Sequence, residues 1–533
     1  MTRSTLFAHD EKKLFTLREA SKWTSKYLNR RVTISNISYL IQYGRIKNYG
    51  NNGSPLIAQD ELKKYYDLIK KKEGEWKKVL GEDLNWHLSF IEYKESERTK
   101  HVHRLHPYKG KFIPQLVEYF LDGHIDEFKK EVFFKEGDIV LDPFCGSGTT
   151  LVQANELNIH AIGVDVSAFN VMMSNVKIEK HNISELYQAI RKLTKELEDF
   201  QRNKKNVEFE EQLNLKLSEF NSEYFPSPDY KIKIRQRMIN EKVYGREKEK
   251  EFLPIYWDLI KKYQIKVLQN KNDTFLDKWF LAPVREEIDF LFERIKQIKN
   301  PEIKKTLAII LSRTIRSCRA TTHADLATLK EPVTTTYYCK KHGKICKPIF
   351  SIKKWWNRYS IDTLNRLLEF DKLRSNTMQI CLVGDSRNID IIEKVRNKNP
   401  TFAELISKQK IAGIFSSPPY VGLINYHEQH AYAYELFGFE RKDEFEIGPL
   451  YKGQGKEARE SYVRGIAKAL INCKRFLKKD YNVFLVANDK YNLYPKIAEL
   501  AGMRIVNQYK RPVLNRVEKD RSAYAEIIFH LKK

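Results

Sequence analysis

Residues 142–150 (DPFCGSGTT) place two glycines directly after a short apolar segment, 137–141. The pattern predicts a buried strand, a tight turn at Gly146 and Gly148, and then a helix. Glycine lets the backbone turn sharply and lets a ligand approach it closely. Asp165 follows a second short apolar segment. An acid about 20 residues after a glycine turn is placed to bind ribose hydroxyls.

A second motif, residues 417–420 (SPPY), also follows an apolar segment, 411–415. Two consecutive prolines continue neither a helix nor a sheet ladder, so they fix the direction of the backbone. The Ser417 hydroxyl and the Pro418 carbonyl are then two acceptors in fixed positions, and Tyr420 offers a flat ring. This combination suits the exocyclic amino group of a base that has been rotated out of its stack.

Together the two motifs resemble those of the amino-methylating DNA methyltransferases, which use S-adenosylmethionine to methylate cytosine N4 or adenine N6. The resemblance covers roughly residues 101–180 and 376–533. It implies a catalytic set of Ser417, Pro418, Pro419 and Tyr420. It also implies that the turn contacts the methionine part of the cofactor, Asp165 its ribose and Asp385 its adenine; the full implied cofactor-binding set is Lys111, Phe112, Pro114, Asp142, Pro143, Phe144, Gly146, Gly148, Thr149, Asp165 and Asp385.

Some of these residues also have a purely structural interpretation. Pro114 is equally suited to begin a helix that covers the sheet. Gly146 and Gly148 are suited to the tight turn itself, whether or not a ligand approaches it. Both interpretations stay open at this point.

The first residue of the proline motif bears on the target base. By the same resemblance, serine at position 417 favours cytosine N4, and adenine N6 remains the alternative. A 5-methylcytosine enzyme would need a nucleophilic cysteine after a proline, and the chain contains no Pro-Cys pair. Two further alternatives are RNA guanine N2 methylation and a DNA-binding regulator that keeps the fold without activity.

The composition favours a polyanionic partner. The 533 residues include 95 Lys and Arg against 69 Asp and Glu, a formal net charge of +26. Nucleic acid is the usual partner of such a charge, although surface lysines can also serve solubility alone. The resemblance implies double-stranded DNA, with or without a cognate restriction endonuclease.

The location of the protein is expected to be cytoplasmic, with no membrane partner. No apolar segment reaches the roughly 18 to 20 residues that span a bilayer. The first ten residues lack the apolar centre of a secretory signal. The six cysteines are too few and too scattered to form a disulfide framework.

The first 70 residues are predicted to form a small winged helix-turn-helix domain. Thr16 is a helix cap ahead of an amphipathic segment, and a second helix is expected from residue 34 to Gly44. Residues 45–49 and 56–57 flank a glycine and asparagine turn that suggests a β-wing, and a third helix follows. This order resembles excisionase and MerR-like DNA binders; a helical docking module is the alternative.

The fold class expected for the whole chain is α/β: a doubly wound, Rossmann-like methyltransferase sheet with a large, mainly helical insertion. The expected units are the amino-terminal domain (1–70), a charged helical linker (71–100), the cofactor half of the core (101–180), the insertion (181–375) and the catalytic half of the core (376–533). Leu186, Ile190, Leu193 and Leu197 recur at helical spacing within the insertion. The insertion is the hypothetical target-recognition domain.

Two features of the insertion could carry function. Arg313, Arg316 and Arg319 would share one helix face and could contact phosphates, or form an exposed salt-bridged face. Downstream, a group of thiols and imidazoles could bind structural zinc. The expected ligands are Cys318, Cys339, His342 and Cys346, with His323 as the alternative fourth ligand to Cys318; a basic turn with buried thiols is the other interpretation.

Overall fold

The structure is a computed structural model that describes residues 13–533 except 30–31, 43–44, 52–53, 81–83, 91–92, 94, 127, 203, 272, 324–328, 426 and 514–522. Its strands within the described residues are β1 (Leu14–Thr16), β2 (Leu56–Ala58), β3 (Ile139–Asp142), β4 (His160–Asp165), β5 (Tyr337–Cys339), β6 (Lys344–Cys346), β7 (Gln379–Val383), β8 (Ile411–Ser416), β9 (Leu477–Ala487), β10 (Arg504–Pro512) and β11 (Ala525–Lys532).

The helices surround these strands and include several short ones. They are α1 (Leu17–Leu28), α2 (Ile34–Gln42), α3 (Gln59–Leu80), α4 (Glu95–Arg98), α5 (Pro114–Leu121), α6 (Thr149–Glu156), α7 (Ala168–Ile178), α8 (Ile183–Gln201), α9 (Asn206–Tyr224), α10 (Asp229–Arg235), α11 (Glu241–Tyr263), α12 (Phe275–Trp279), α13 (Ala282–Lys296), α14 (Pro301–Ser317), α15 (Lys353–Asp371), α16 (Ile391–Arg396), α17 (Pro400–Gln409), α18 (Ala431–Phe437), α19 (Lys456–Lys474) and α20 (Tyr494–Leu500). No helix in the described part of the chain is long and apolar enough to cross a membrane.

A seven-stranded sheet in the order β10-β11-β9-β8-β3-β4-β7 forms the centre of the protein. The five strands from β9 to β7 pair in parallel, whereas β11 is antiparallel to both β9 and β10. Strand β3 lies between β8 and β4, with Val140 opposite Gly413 and Asp142 opposite Gly163. Because carboxyl ends of parallel strands meet at one edge, the segments after β3, β4, β7 and β8 are neighbours.

The strands are apolar on both faces, as expected for a sheet that is covered by helices on both sides. Alternate residues contribute to two separate cores: Val140 and Phe415 face one side, and Leu141 and Ile414 face the other. The expected α/β architecture with a central sheet is therefore confirmed.

The insertion between α7 and β7 is mostly helical, as the apolar spacing predicts. Leu186, Ile190, Leu193 and Leu197 are all buried along α8. They belong to the same apolar core as Val140 and the other side chains on that face of the sheet. The insertion is therefore packed directly onto the sheet by a continuous apolar core.

The amino-terminal unit contains β1, α1, α2, β2 and α3 around an apolar core of its own. Thr16 caps α1 in a capping box, because its hydroxyl accepts the Glu19 amide and the Glu19 carboxylate accepts the Thr16 amide. Strand β2 pairs with β1. Residues 45–49 form no strand, but the predicted turn is present in part, because the Tyr49 amide donates to the Leu56 carbonyl at 2.8 Å and Asn51 and Ser54 form an isolated antiparallel bridge. The predicted helix end at Gly44 lies outside the described residues.

Candidate active site

The carboxyl ends of β3 and β8 are joined by side chains. The Asp142 carboxylate accepts a hydrogen bond from the Ser416 hydroxyl at 2.5 Å and one from the Phe144 amide at 3.2 Å. Thr150, at the start of α6, donates to the Phe415 carbonyl of β8 at 3.3 Å. The glycine turn and the proline motif are thus held next to each other at one edge of the sheet.

The Asp142 side chain lies in the protein interior at this edge of the sheet. Its side chain is 1% exposed, and burial raises the pKa of its carboxyl group to about 6 although Ser416 stabilises the charged form. Asp142 is not among the described residues that line the cavity beside the turn. The geometry gives Asp142 a role in aligning two strands rather than in touching a ligand.

The glycine turn is held by hydrogen bonds to its backbone carbonyls. Lys177 donates to Ser147 at 2.5 Å, Ser174 to Gly146 at 3.2 Å and Ser386 to Pro143 at 2.6 Å. Lys177 is fully buried, which lowers its pKa well below the usual lysine value. These bonds fix the backbone of the turn before any ligand binds.

Both glycines of the turn have backbone conformations that disfavour a side chain. Gly146 has φ +50° and Gly148 has φ +75°. A Cβ at Gly146 would also lie 2.8 Å from the Tyr108 hydroxyl, and one at Gly148 would lie 2.9 Å from the Ser174 hydroxyl. The conformational interpretation of both glycines is therefore correct, and Gly146 additionally faces the cavity.

Asp165 ends β4 and points toward the turn. Its carboxylate accepts the amides of Gly146 and Ser167, each at 2.8 Å, and the Asn170 side-chain amide at 3.1 Å. Burial nevertheless raises the pKa of this carboxyl group to about 6. Each carboxylate oxygen has more than one lone pair, so the group retains acceptor capacity toward the cavity.

A cavity of about 840 Å³ opens at this edge of the sheet. Most of the predicted cofactor-binding residues and two residues of the proline motif lie together in its wall. These predicted residues are Lys111, Phe112, Pro143, Phe144, Gly146, Thr149, Asp165, Asp385, Ser417 and Pro419.

Other predicted residues lie outside that wall among the described residues. Pro114 is buried at the first position of α5, and Gly148 caps α6. Pro418 is buried and Tyr420 is half-buried, and neither is among the residues that line the cavity. Pro114 and Gly148 therefore serve local structure here, in agreement with their structural interpretation.

The hydroxyl proton of Ser417 has a hydrogen-bond acceptor within the protein. The single hydroxyl proton is donated to the Val486 carbonyl of β9 at 3.1 Å. Because a hydroxyl has one proton and two lone pairs, the oxygen remains available as an acceptor.

Tyr420 is anchored at its far end. Its hydroxyl donates to the Glu526 carboxylate of β11 at 3.1 Å, and Glu526 is paired with Arg511 at 2.8 Å. Its ring packs against the core on one face of the sheet. These contacts fix the orientation of the ring beside Ser417.

Two charged residues of the predicted cofactor-binding set already form hydrogen bonds within the protein. Asp385 forms a bidentate pair with Arg387, with N···O distances of 2.7 and 2.9 Å. The Lys111 ammonium donates to the His103 carbonyl at 2.6 Å, and burial lowers its pKa to about 8. Asp385 also accepts the Arg387 backbone amide at 2.9 Å, so Arg387 occupies both of its carboxylate oxygens. Lys111 contributes chiefly by holding the segment ahead of α5 in place.

The sequence did not predict several of the residues that line the cavity. Tyr108 and four residues of the segment 427–447 also line the cavity: His427, Phe445, Glu446 and Ile447. His427 is buried; its ring contacts the Glu446 carboxylate, which also accepts the His427 backbone amide at 2.7 Å. Tyr108 lies three residues before the predicted Lys111, whereas no spacing in the sequence pointed to residues 427–447 after β8.

The predicted row of three arginines is not an exposed face. Arg313 is 6% exposed and bonds the Asp362 carboxylate at 2.5 Å, with its guanidinium over the Tyr359 ring. Arg319 is 7% exposed and donates to the Arg316 carbonyl at 3.0 Å. The prediction of a shared phosphate-contacting row is wrong for these two residues, because Arg313 is buried on α14 and Arg319 lies beyond the end of that helix at Ser317. Arg316 alone of the three is half-buried.

The predicted metal ligands are only partly brought together. The Cys339, His342 and Cys346 side chains converge with His323, and one ligand atom from each lies within 4.8 Å of the others. Cys318 does not belong to this group, because its thiol is 1% exposed in the apolar core at the end of α14. The choice of Cys318 as the fourth ligand is therefore corrected to His323.

Comparison with known proteins assigns the chain to a family. A family model described as DNA methylase matches residues 3–175, and one described as D12 class N6 adenine-specific DNA methyltransferase matches residues 120–278. The chain is 45% identical over 530 residues to Type II methyltransferase M.MjaII of Methanocaldococcus jannaschii, which covers 98% of this chain and 97% of that protein. The chain belongs to the type II DNA methyltransferases of the N4/N6 amino-methylating class.

Two other relatives match shorter parts of the chain. Type II methyltransferase M.MvaI of Kocuria varians is 33% identical over 108 residues, 20% of this chain and 22% of that protein. The tRNA (guanine(10)-N2)-dimethyltransferase of Methanocaldococcus jannaschii is 36% identical over 59 residues, 11% of this chain and 17% of that protein.

Proposed function

We propose that the protein transfers a methyl group from S-adenosylmethionine to N4 of a cytosine that has been flipped out of double-stranded DNA. The observation that supports this proposal most is spatial. The glycine turn with Asp165 and the proline motif with Ser417 line one cavity at adjacent strand ends. A methyl donor in that cavity and a base against the proline motif would be side by side.

The cavity wall suits the cofactor. Asp165 keeps acceptor capacity for ribose hydroxyls, and Phe112 and Phe144 give apolar surface. Asp385 lies in the same wall and would accept an adenine amino group in exchange for part of its contact with Arg387. S-adenosylmethionine supplies, when bound, a methyl group on a positively charged sulfur that departs as a neutral thioether. The protein therefore needs to hold two reactants in line rather than to move protons to the leaving group.

The proline motif would act on the attacking nitrogen. The lone pair of a cytosine amino group is delocalised into the ring, which makes the nitrogen a poor nucleophile. Hydrogen bonds from its two protons to Ser417 Oγ and the Pro418 carbonyl favour tetrahedral geometry and make the lone pair available. Because Ser417 gives its own proton to Val486, its oxygen faces the base as an acceptor. The anchored Tyr420 ring would stack on the flipped base.

Serine at position 417 is the feature that favours cytosine N4. Adenine N6 is the second candidate, and the match of residues 120–278 to an adenine-specific family model favours it. RNA methylation has weaker support, because the similarity to the tRNA enzyme covers 11% of the chain.

The test is to express the full-length protein in a host that lacks both modifications and to sequence its DNA by a method that distinguishes 4-methylcytosine from 6-methyladenine. We expect 4-methylcytosine at one short recurring sequence. The same host expressing Ser417→Ala gives the background. Methylation at adenine would replace the proposed base by the alternative, and unmethylated DNA from a folded, cofactor-binding protein would contradict the DNA substrate.

DNA binding would be shared by the insertion and the amino-terminal unit. The net charge of +26 supports a polyanionic partner, and the two consecutive helices α1 and α2 resemble a helix-turn-helix. This unit has its own core, and a deletion of residues 1–70 removes that core together with the first half of α3, so it should leave the sheet intact. Deleting residues 1–70 should weaken DNA binding and leave cofactor affinity unchanged. Equal DNA affinity of the two forms would instead indicate a docking module.

A further inference from the structure

A small β-hairpin inside the insertion carries three thiol and imidazole groups close together. Its strands β5 and β6 pair antiparallel, with Tyr337 opposite Cys346 and Cys339 opposite Lys344. Cys339 is two residues from Tyr337, so Cys339 and Cys346 lie on the same face of the hairpin. His342 stands in the connecting turn, where its amide donates to the Cys339 carbonyl at 3.1 Å.

The turn of this hairpin is tight and depends on a glycine. The Gly343 amide also donates to the Cys339 carbonyl, at 2.6 Å, and Gly343 has φ +66°. The turn brings the His342 imidazole back over the two thiols, and its Nδ1 lies 3.4 Å from Cys346 Sγ.

The fourth group comes from the segment that follows α14. His323 Nδ1 lies 3.8 Å from Cys339 Sγ, and the His323 and His342 ring centroids are 4.3 Å apart. The Tyr337 hydroxyl accepts the His323 backbone amide at 3.2 Å, and its oxygen lies 2.8 Å from His323 Nδ1, a contact that a zinc ion on Nδ1 would replace. The His323 imidazole is therefore held against the hairpin by a residue of the hairpin itself.

We propose that His323, Cys339, His342 and Cys346 bind one structural zinc ion. Tetrahedral zinc with Zn–S of about 2.3 Å and Zn–N of about 2.05 Å separates a sulfur and a nitrogen ligand by about 3.6 Å. The observed S···N separations of 3.8 and 3.4 Å lie on either side of that value. Two thiolates and two neutral imidazoles compensate the charge of Zn²⁺, and the spacing of three and four residues within the hairpin is typical of zinc sites.

The position of the ion would connect two parts of the insertion. The hairpin is bonded to α9 through Asn221 and Ile345, with N···O distances of 2.9 and 3.0 Å, and to α11 through Glu249 and the Tyr338 amide at 2.9 Å. The hairpin thus moves with those helices. A zinc ion would fasten this outer part to the segment that carries His323.

The segment with His323 leads back toward the sheet. Ala320 donates to the Trp279 carbonyl at 2.7 Å, and the Arg319 guanidinium lies 5.8 Å from the ring centroid of Tyr432 in α18. The ion would therefore fix the orientation of α9 and α11 relative to the part of the insertion that packs against the sheet. It lies outside the cofactor cavity, so its loss should affect stability and not cofactor binding.

The first test is the zinc content of the full-length protein, purified after growth in zinc-supplemented medium and dialysed against metal-free buffer. Mass spectrometry should find about one equivalent of zinc in the unchanged protein. Less than about half an equivalent would overturn the proposal. Replacement of the zinc by Co²⁺ should give the visible absorption of tetrahedral cobalt together with a thiolate charge-transfer band.

The identity of the ligands is tested by matched variants. Cys339→Ser and His323→Ala should each lower the zinc content to below about a tenth of an equivalent after dialysis. Cys318→Ser is the control, because it removes a nearby buried thiol outside the group and should retain the full equivalent. Retention of zinc by His323→Ala with loss by Cys318→Ser would overturn the ligand set.

Folding of the variants is followed separately. S-adenosylmethionine affinity, measured by calorimetry, should be unchanged in every variant that binds no zinc. Unchanged affinity would show that the sheet of these variants is intact. A chelator that removes zinc from the unchanged protein should lower its Tm. An unchanged Tm after complete removal of the zinc would overturn the structural role.

Discussion

The edge of the sheet and the helical insertion both bury charged side chains, but they use them differently. At the sheet edge, Asp165 bonds the backbone of the glycine turn and still faces an open cavity. In the insertion, Arg313 and Arg366 both bond the Asp362 carboxylate, and the Arg313 side chain is only 7% exposed. The first arrangement shapes a surface for a ligand, and the second joins helices.

This difference explains which sequence patterns were informative. Glycine and proline restrict the backbone, so the motifs at 142–150 and 417–420 specify where the chain turns and which groups it presents. A row of arginines on a helix specifies only that the side chains share a face. Which neighbour covers that face is decided by packing, and α14 is covered, with Ile309 and Ile315 fully buried.

The largest expected effect compares the interior of the sheet with the insertion, using one substitution in each. A Cβ at Gly413 would lie 2.0 Å from the backbone oxygen of Asn482 in β9, which cannot move without disturbing the ladder. Gly413→Ala should lower the free energy of unfolding by at least about 3 kcal/mol. A Cβ at Gly245 in α11 would lie 2.6 Å from a ring carbon of Tyr338, a side chain that can shift.

For Gly245→Ala the overpacking is partly offset by the better helix propensity of alanine, so we expect a loss of about 1 kcal/mol. Urea unfolding of both variants measures the difference. Equal losses would show that the interior of the sheet is no more rigid than the insertion.

The next effect concerns chemistry at the sheet edge alone. Tyr420→Ala removes the ring proposed to stack on the base, which is worth about 1 to 3 kcal/mol and should lower turnover about 10- to 100-fold. Tyr420→Phe keeps the ring and loses only the Glu526 hydrogen bond, so its loss should be smaller. Methyl transfer to DNA and cofactor affinity are measured in parallel. Unchanged turnover of Tyr420→Ala would refute the stacking role.

The Asp142 carboxyl group should make the free energy of unfolding depend on pH, and the expected change is of intermediate size. Its folded-state pKa of about 6 lies above the usual aspartate value, so its stability contribution is fully present below the unfolded pKa and is lost as pH rises through about 6. Asp142→Asn keeps the acceptor for Ser416 but does not titrate. The unfolding free energy of the unchanged protein minus that of the variant should fall by about 2 to 3 kcal/mol between pH 4 and 7. A difference that is constant with pH would contradict the raised pKa.

The smallest effect separates the arginines of α14. Arg316→Ala should lower DNA affinity by up to about tenfold with little change in stability, because its half-buried side chain still reaches solvent. Arg313→Ala should instead lower the Tm, since it leaves the Asp362 carboxylate with fewer partners. DNA affinity at fixed salt and thermal unfolding are compared for both variants. If Arg313→Ala instead weakened DNA binding while Arg316→Ala lowered the Tm, Arg313 would be the residue that contacts phosphate.

The sequence alone predicted the strands that carry the two motifs and the helical character of the insertion. These follow from local rules, because short apolar segments end at glycine or proline and apolar residues repeat at helical spacing. It also indicated that Asp165 and Ser417 belong to one site. That inference used the family resemblance, since the two residues are far apart in the chain.

The tertiary structure decided matters that depend on which neighbour fills a space. It placed Asp142 behind the cavity wall, His427 and Glu446 within it, and His323 rather than Cys318 beside the hairpin thiols. None of these outcomes is encoded in spacing along the chain. Burial and long-range contact are properties of the packed molecule, and a side chain's chemistry depends on both.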